Sequence, residues 1–178
     1  MKNLDNKKPG KIFWRWRKHQ SSGLPAHIPL GTSYMNAIDT NIWIYAYDDR
    51  DLAKQQRAKE LISTTRPLAL IWQVGCEFIA ASRKLGPLGF SKEQAWAAHS
   101  KMRSMSDVIL IPNVDLWDKA RGLSQTHSLS FWDAMILGAY IMGGVNRLYT
   151  EDMGGQPSIE GVHVINPFSN ASQKGGGA

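Results

Sequence analysis

The chain has 178 residues, an apolar share of 43% and one cysteine, Cys76, which fits a single globular domain, excludes an intrachain disulfide and suits a reducing cytoplasm. Its formal charge of +6 is concentrated: residues 1–34 carry Lys2, Lys7, Lys8, Lys11, Arg15, Arg17 and Lys18 against Asp5 alone, while the remainder balances 14 basic with 14 acidic residues. Basicity therefore gives no reason to expect the body to bind nucleic acid, and no apolar run reaches the roughly 18–20 residues of a membrane span.

Residues 1–34 read as a basic leader that is expected to be disordered. They hold Pro9, Gly10, Gly23, Pro25, Pro29 and Gly31 and show no sustained period of 2 or 3.6. Trp14-Arg15-Trp16-Arg17-Lys18 interleaves indoles with cations. That pattern suits a solvated tail, a segment that stacks on bases and touches phosphates, or one lying at an anionic membrane surface. No apolar stretch of the secretory type follows the early lysines. Met35 stands directly before the first strand-like run, so a native start at Met35 is the alternative expectation.

The body, residues 35–168, alternates strand-like and helix-like stretches. Asn36 to Asp39 reads as a strand and Thr40 to Tyr47 as a short apolar helix. Asp51 is placed to cap the next helix, in which Ala58, Leu61, Ile62 and Thr65 share a face. Pro67 stops it, and Leu68 to Ile71 reads as a second strand. Trp72 to Leu85 is predicted helical, with Val74, Phe78, Ala81 and Leu85 on one stripe and Gly86-Pro87 at its end. Ser91 opens a helix whose face is Ala95, Ala98, Met102 and Met105. Val108 to Ile111 is a strand closed by Pro112. Asp115 to His127 is a helix, and Phe131 to Met142 is apolar almost all round, the pattern of a buried helix. Arg147 to Thr150 and Val162 to Ile165 are the last strands, and residues 169–178 are a Ser/Gly-rich tail.

Five short apolar strands separated by helices predict an α/β fold, a three-layer α/β/α sandwich around a mainly parallel five-stranded sheet. Four acids stand at its junctions. Asp39 and Asp152 follow strands, and Glu77 and Asp133 sit in early helical turns, which in a parallel sheet is one edge. Each has a structural alternative. Asp39 suits a helix N-cap. Glu77 can be solvated or favoured by the helix dipole. Ser130-x-x-Asp133 fits a capping box. Asp152 precedes Gly154 in a turn, with Glu151 competing for its role. Taken as a set, clustered carboxylates need a counter-charge. All-oxygen donors favour Mg²⁺ or Mn²⁺, and the His and Cys spacing of a structural zinc is missing.

Five segments carry a resemblance in the right order: Ala37-Ile38-Asp39-Thr40-Asn41, then Gln73-Val74-x-x-Glu77-Phe78. Leu129-Ser130-Phe131-Trp132-Asp133-Ala134 and Tyr149-Thr150-Glu151-Asp152-Met153 follow, and residues 161–168, Gly-Val-His-Val-Ile-Asn-Pro-Phe, close the series. Together they resemble the PIN-domain family and, within it, the VapC-type ribonuclease toxins, over about Asn36 to Phe168. The resemblance implies a Mg²⁺- or Mn²⁺-dependent endoribonuclease, the toxin of a type II toxin–antitoxin pair, partnered by a cognate antitoxin and forming a homodimer. It places the metal-binding and catalytic acids on Asp39, Glu77, Asp133 and Asp152, with Thr40 and Thr150 as polar supports. Asp39 and Asp133 are expected to be the main ligands. Arg50, Lys54, Arg57, Arg83 and Lys84 are candidates to touch the RNA backbone. A PIN nuclease of RNA processing or DNA repair, and a catalytically silent domain that binds RNA or a partner, are the alternatives. The leader and Gly154-Gly155 depart from the family pattern.

Overall fold

The computed structural model describes residues 34–153 and 157–169. Of the leader only Tyr34, and of the C-terminal tail only Ser169, fall among them. Gly154-Gly155 also lies outside the described residues.

Each strand is a short apolar run, as a strand buried on both faces requires. In order they are β1 (Asn36–Ile38), β2 (Leu68–Ile71), β3 (Val108–Leu110), β4 (Arg147–Tyr149), β5 (Ser158–Ile159) and β6 (Val162–Ile165). The sheet order is β3-β2-β1-β4-β6-β5, with every neighbour pair parallel except β5 and β6. The sheet thus has six strands rather than the expected five. The additional strand has two residues, too few to show an alternating pattern. It turns into β6 through Glu160 (φ 45°) and Gly161 (φ 85°), two successive positive angles of the kind that a two-residue hairpin loop demands. Gly161 was its only sequence signal.

The helices are α1 (Thr40–Tyr45), α2 (Leu52–Thr64), α3 (Trp72–Ala81), α4 (Lys92–Met105), α5 (Leu116–His127) and α6 (Phe131–Met142). From β1 the chain steps outward twice, to β2 and then β3, and afterwards crosses back to β4 on the other side of β1. Right-handed crossovers in opposite directions put their helices on opposite faces. Accordingly α1 to α4 pack among themselves, while α5 packs on α6. The core runs through β1 and β2, with Ala37, Ile38, Leu68 and Ile71 essentially inaccessible.

Two helix expectations change. The helix after β2 stops at Ala81 and continues as a tighter 3-10 stretch, Ser82–Leu88, containing Pro87. Proline has no N–H and its ring clashes with the carbonyl four residues back, so an α-helix does not run through it. Gly89, at φ 84°, closes the stretch. In α6 the middle is buried as expected, but Phe131 and Trp132 are 58% and 61% exposed. The apolar first turn of α6 lies at the surface beside Asp133.

Candidate active site

Asp39 follows β1 at the C-terminal edge of the sheet. It begins α1 as an N-cap, and its Oδ1 accepts the Thr40 N–H at 2.7 Å. The cap does not use the whole carboxylate. Oδ2 accepts the Thr150 hydroxyl, 2.8 Å away at the end of β4. Asp39, Thr40 and Thr150 are all buried, with Thr150 at 1% exposure.

From this pair a hydrogen-bonded chain extends both ways. On one side the Thr40 hydroxyl donates to Glu77 Oε2 (2.8 Å), and the Gln73 side-chain amide donates to Glu77 Oε1 (2.8 Å). Gln73 and Glu77 are one turn apart on α3, so their side chains meet. On the other side Thr150 Oγ1 accepts the Asp152 N–H at 3.2 Å, and the Asn41 side-chain amide donates to Asp152 Oδ2. One network therefore joins Asp39, Glu77 and Asp152 through Thr40 and Thr150. Of the other members, Gln73 is legible as an i, i+4 partner of Glu77. Asn41 is not, because only the meeting of β1 and β4 places it on Asp152.

Asp133 lies outside this chain. It sits in the first turn of α6, where Ser130 Oγ accepts its N–H at 3.2 Å and donates back to its Oδ2 at 2.6 Å. Glu151 also lies elsewhere. It takes Lys54 Nζ at 2.7 Å and the Tyr45 hydroxyl at 2.7 Å, and Lys54 sits 3.9 Å above the Tyr45 ring. Of the two neighbouring acids it is Asp152 that reaches the network. Lys54 is thereby occupied, and Arg50 is paired with Asp48. Arg57 lines an open groove of about 630 Å³ with Lys54, Pro167 and Phe168.

The electrostatics agree with the geometry. Burial pushes the Asp39 carboxyl above its ordinary value, and the charges of Asp152 and Glu77 push the same way; the bonds from Thr150 and Thr40 oppose them. Asp39 is thus a desolvated acid facing two further acids, and its nearest helpers are neutral donors. Among the described residues, no three His, Cys, Asp or Glu side chains are grouped as the ligands of one metal ion. In kind the oxygen donors fit a hard divalent cation. In position, Asp39, Glu77 and Asp152 are each turned toward hydroxyl or amide partners, and they would have to turn from these to share one.

No protein-family model matches the chain, and no curated protein matches it in sequence. Solved structures do match in shape. A toxin–antitoxin complex from Klebsiella pneumoniae superposes with a TM-score of 0.57 at 22% identity, covering 75% of this chain and 98% of its own. VapC20 of Mycobacterium tuberculosis, described as a toxin that cleaves the sarcin–ricin loop, gives 0.52 at 21% identity over 66% and 89%. VapBC2 of Rickettsia felis, solved on a DNA fragment from its promoter, gives 0.53 at 17% identity over 74% and 98%.

Proposed function

We propose that this chain, which has the PIN-type fold of VapC toxins, is a Mg²⁺- or Mn²⁺-dependent endoribonuclease and the toxin of a toxin–antitoxin pair. The observation that carries the reading is the buried Asp39 joined to Glu77 and Asp152 through two threonine hydroxyls at the C-terminal edge of the sheet. In open α/β sheets that edge is where ligands bind.

Asp39, Glu77 and Asp152 would hold the cation, with Asp133 as the fourth acid. A divalent cation bound there supplies Lewis acidity and a counter-charge for a phosphate that the bare acids would repel. The chain's own residues do the positioning. Thr150 fixes one Asp39 oxygen and the backbone of Asp152 together. Thr40 does the same for Glu77 from the first turn of α1. Asn41 turns the Asp152 carboxylate toward the network, and the burial of Asp39 keeps bulk water from its inner side. Arg57, which lines the open groove and also bonds the Pro167 carbonyl and pairs with Glu60, is the cation we assign to an RNA phosphate.

A cognate antitoxin, a homodimer and a cytoplasmic location belong to the same proposal. The solved neighbours are described as toxin–antitoxin assemblies, and among the described residues no helix is long and apolar enough to cross a membrane. The position of Asp133 outside the network favours the second reading, a silent PIN-like domain that binds RNA or a partner.

Incubating purified protein with a mixed RNA pool that includes a ribosomal stem-loop separates the two readings. The arms are Mg²⁺, Mn²⁺ and chelator, beside Asp39→Asn. Cutting that needs the metal and disappears in Asp39→Asn supports the nuclease. Intact RNA in every arm with well-folded protein would favour the silent domain.

A further inference from the structure

Helix α6 is apolar almost all round, and burial satisfies its middle: Ala134, Ile136, Leu137, Ala139 and Tyr140 lie in the core. The first turn is the exception. Phe131 and Trp132 are both more than half exposed, and their rings meet edge to face with centroids 5.0 Å apart. Large aromatic rings gain most from being covered, and this pair immediately precedes Asp133.

The topology fixes the edge at which this turn stands. Beyond the other end of α6 the chain passes Gly143 and reaches Asn146, whose N–H bonds the Met35 carbonyl just before β1. Strand β4 then runs parallel to β1, so α6 runs against the strands. The 12 residues of α6 extend about 18 Å, and the 3 residues of β1 or β4 about 10 Å. The first turn of α6 therefore reaches the C-terminal edge of the sheet, the edge that carries Asp39 and Thr150.

We propose that Phe131 and Trp132 form a stacking platform for unpaired bases of the RNA strand beside the site. The inference rests on the reading above that the chain acts on RNA. The occupant follows from the charges available to hold it. Residues 35–178 carry 14 basic and 14 acidic residues. Lys54 is tied to Glu151, Arg50 to Asp48, and Arg57 to Glu60 and the Pro167 carbonyl. Arg83 and Lys84 follow the end of α3 that points away from this edge. The folded body therefore grips RNA phosphates weakly. The other handle on an RNA strand is the flat face of each base, which stacks on exposed aromatic rings with little regard to sequence. Bases within a duplex already stack on one another, so the platform selects unpaired nucleotides.

The test compares the full wild-type chain with Phe131→Ala, Trp132→Ala and Trp132→Phe. The probes are a short labelled unpaired RNA of mixed sequence and the same strand annealed to its complement. Binding is read by fluorescence anisotropy in chelator, where metal-dependent cutting is off, at several salt concentrations. Each Ala variant is expected to bind the unpaired strand about 10-fold more weakly, on the scale of one lost base–aromatic stack. The salt dependence of binding should be unchanged, because no cation is removed. Trp132→Phe should stay near wild type, and duplex binding should be the same in all four chains. Equal affinity of wild type and Ala variants for the unpaired strand, or equal weakening for strand and duplex, overturns the platform. So does a change of oligomeric state in sedimentation with RNA binding intact, which would show that a second protein chain covers these rings. A parallel Mg²⁺ arm keeps the two readings apart. If the wild-type chain cuts RNA and the Ala variants bind and cut as it does, the platform falls and the nuclease stands. If the wild-type chain neither binds nor cuts, both fall.

Discussion

The Thr150 hydroxyl donates to Asp39 Oδ2 at 2.8 Å across the tips of two neighbouring parallel strands, between residues 111 apart in sequence. Thr150 Oγ1 in turn accepts the Asp152 N–H. One hydroxyl thus sets both the orientation of the first acid and the start of the loop that carries the last. Thr150→Val keeps the shape and removes the donor and the acceptor together. It is expected to cost about 1–3 kcal/mol in urea denaturation, since a buried carboxylate oxygen and a backbone N–H lose their partner. Mn²⁺ affinity should fall by about 10-fold or more. Thr150→Ser, which retains the hydroxyl, should stay near wild type in both measurements.

Asp39 itself gives a prediction with a definite sign. Its folded-state pKa is raised, chiefly by burial, so the folded state holds this proton more tightly than the unfolded state. Stability from this group is therefore highest at low pH. It declines as pH climbs from the ordinary value of 3.8 through the raised folded value, and is level above it. Asp39→Asn removes that decline. Melting followed against pH in chelator should show the Asn variant overtaking the wild-type chain toward neutral pH, while the proposed RNA cleavage should be lost. Divalent cation should reverse the order. A ligand at about 100 times its Kd adds roughly 2.7 kcal/mol to the state that binds it, and on the proposed reading only the wild-type chain should gain this. If Asn at position 39 is no more stable than Asp in chelator at neutral pH, Asp39 is not an uncompensated buried charge.

The strands and the acids differed in how readable they were. The five parallel strands are short apolar runs bounded by Pro, Gly or polar residues, and strands buried on both faces need no more than that. Strand β5 was missed because two residues carry no period. Asp39 and Thr40 could be singled out because they stand just beyond a strand, and Glu77 because it lies early in the helix that follows one. The choice between Glu151 and Asp152 was beyond any local pattern. It depends on Tyr45 and Lys54, about 100 residues earlier, claiming Glu151.

The Glu151 contacts predict an opposite pH effect. The bond from Lys54, followed by that from Tyr45, holds the Glu151 carboxyl below its ordinary value. Burial works against the Lys54 charge, yet its bonds to Glu151 and Tyr45 keep its pKa raised. For a lowered carboxyl the sign reverses: the stabilisation is fully present above 4.5 and is lost as pH falls through the lower folded value. Both side chains remain partly exposed, at 24% and 30%, so Glu151→Gln should cost no more than about 1 kcal/mol. Its larger effect should be on turnover, because Glu151 ties the residue next to Asp152 to α1 and α2. A several-fold fall in kcat/KM with little change in Mn²⁺ affinity is the expected pattern. Unchanged turnover would mean that Asp152 needs no such anchor.

Asp133 is the acid whose role the geometry leaves furthest from the network, and paired variants decide it. As a helix cap, the work falls on Ser130, whose Oγ accepts the Asp133 N–H. Ser130→Ala should then cost about 1 kcal/mol of stability and reduce cleavage no more than a few-fold. As a metal ligand, the work falls on the Asp133 carboxylate, which the Ser130 hydroxyl now holds at Oδ2 and which sits between the exposed Phe131 and Trp132 and the buried Ala134. Asp133→Asn keeps the backbone N–H that Ser130 caps and should barely alter melting, but it should lower cleavage by about 100-fold or more, on the scale of losing one group that stabilises charge in a transition state. The two variants therefore separate the roles by which measurement moves. If Ser130→Ala reduced cleavage as much as Asp133→Asn did, the first turn of α6 would be acting as a unit. If Asp133→Asn cut RNA at the wild-type rate, the site would consist of Asp39, Glu77 and Asp152 alone.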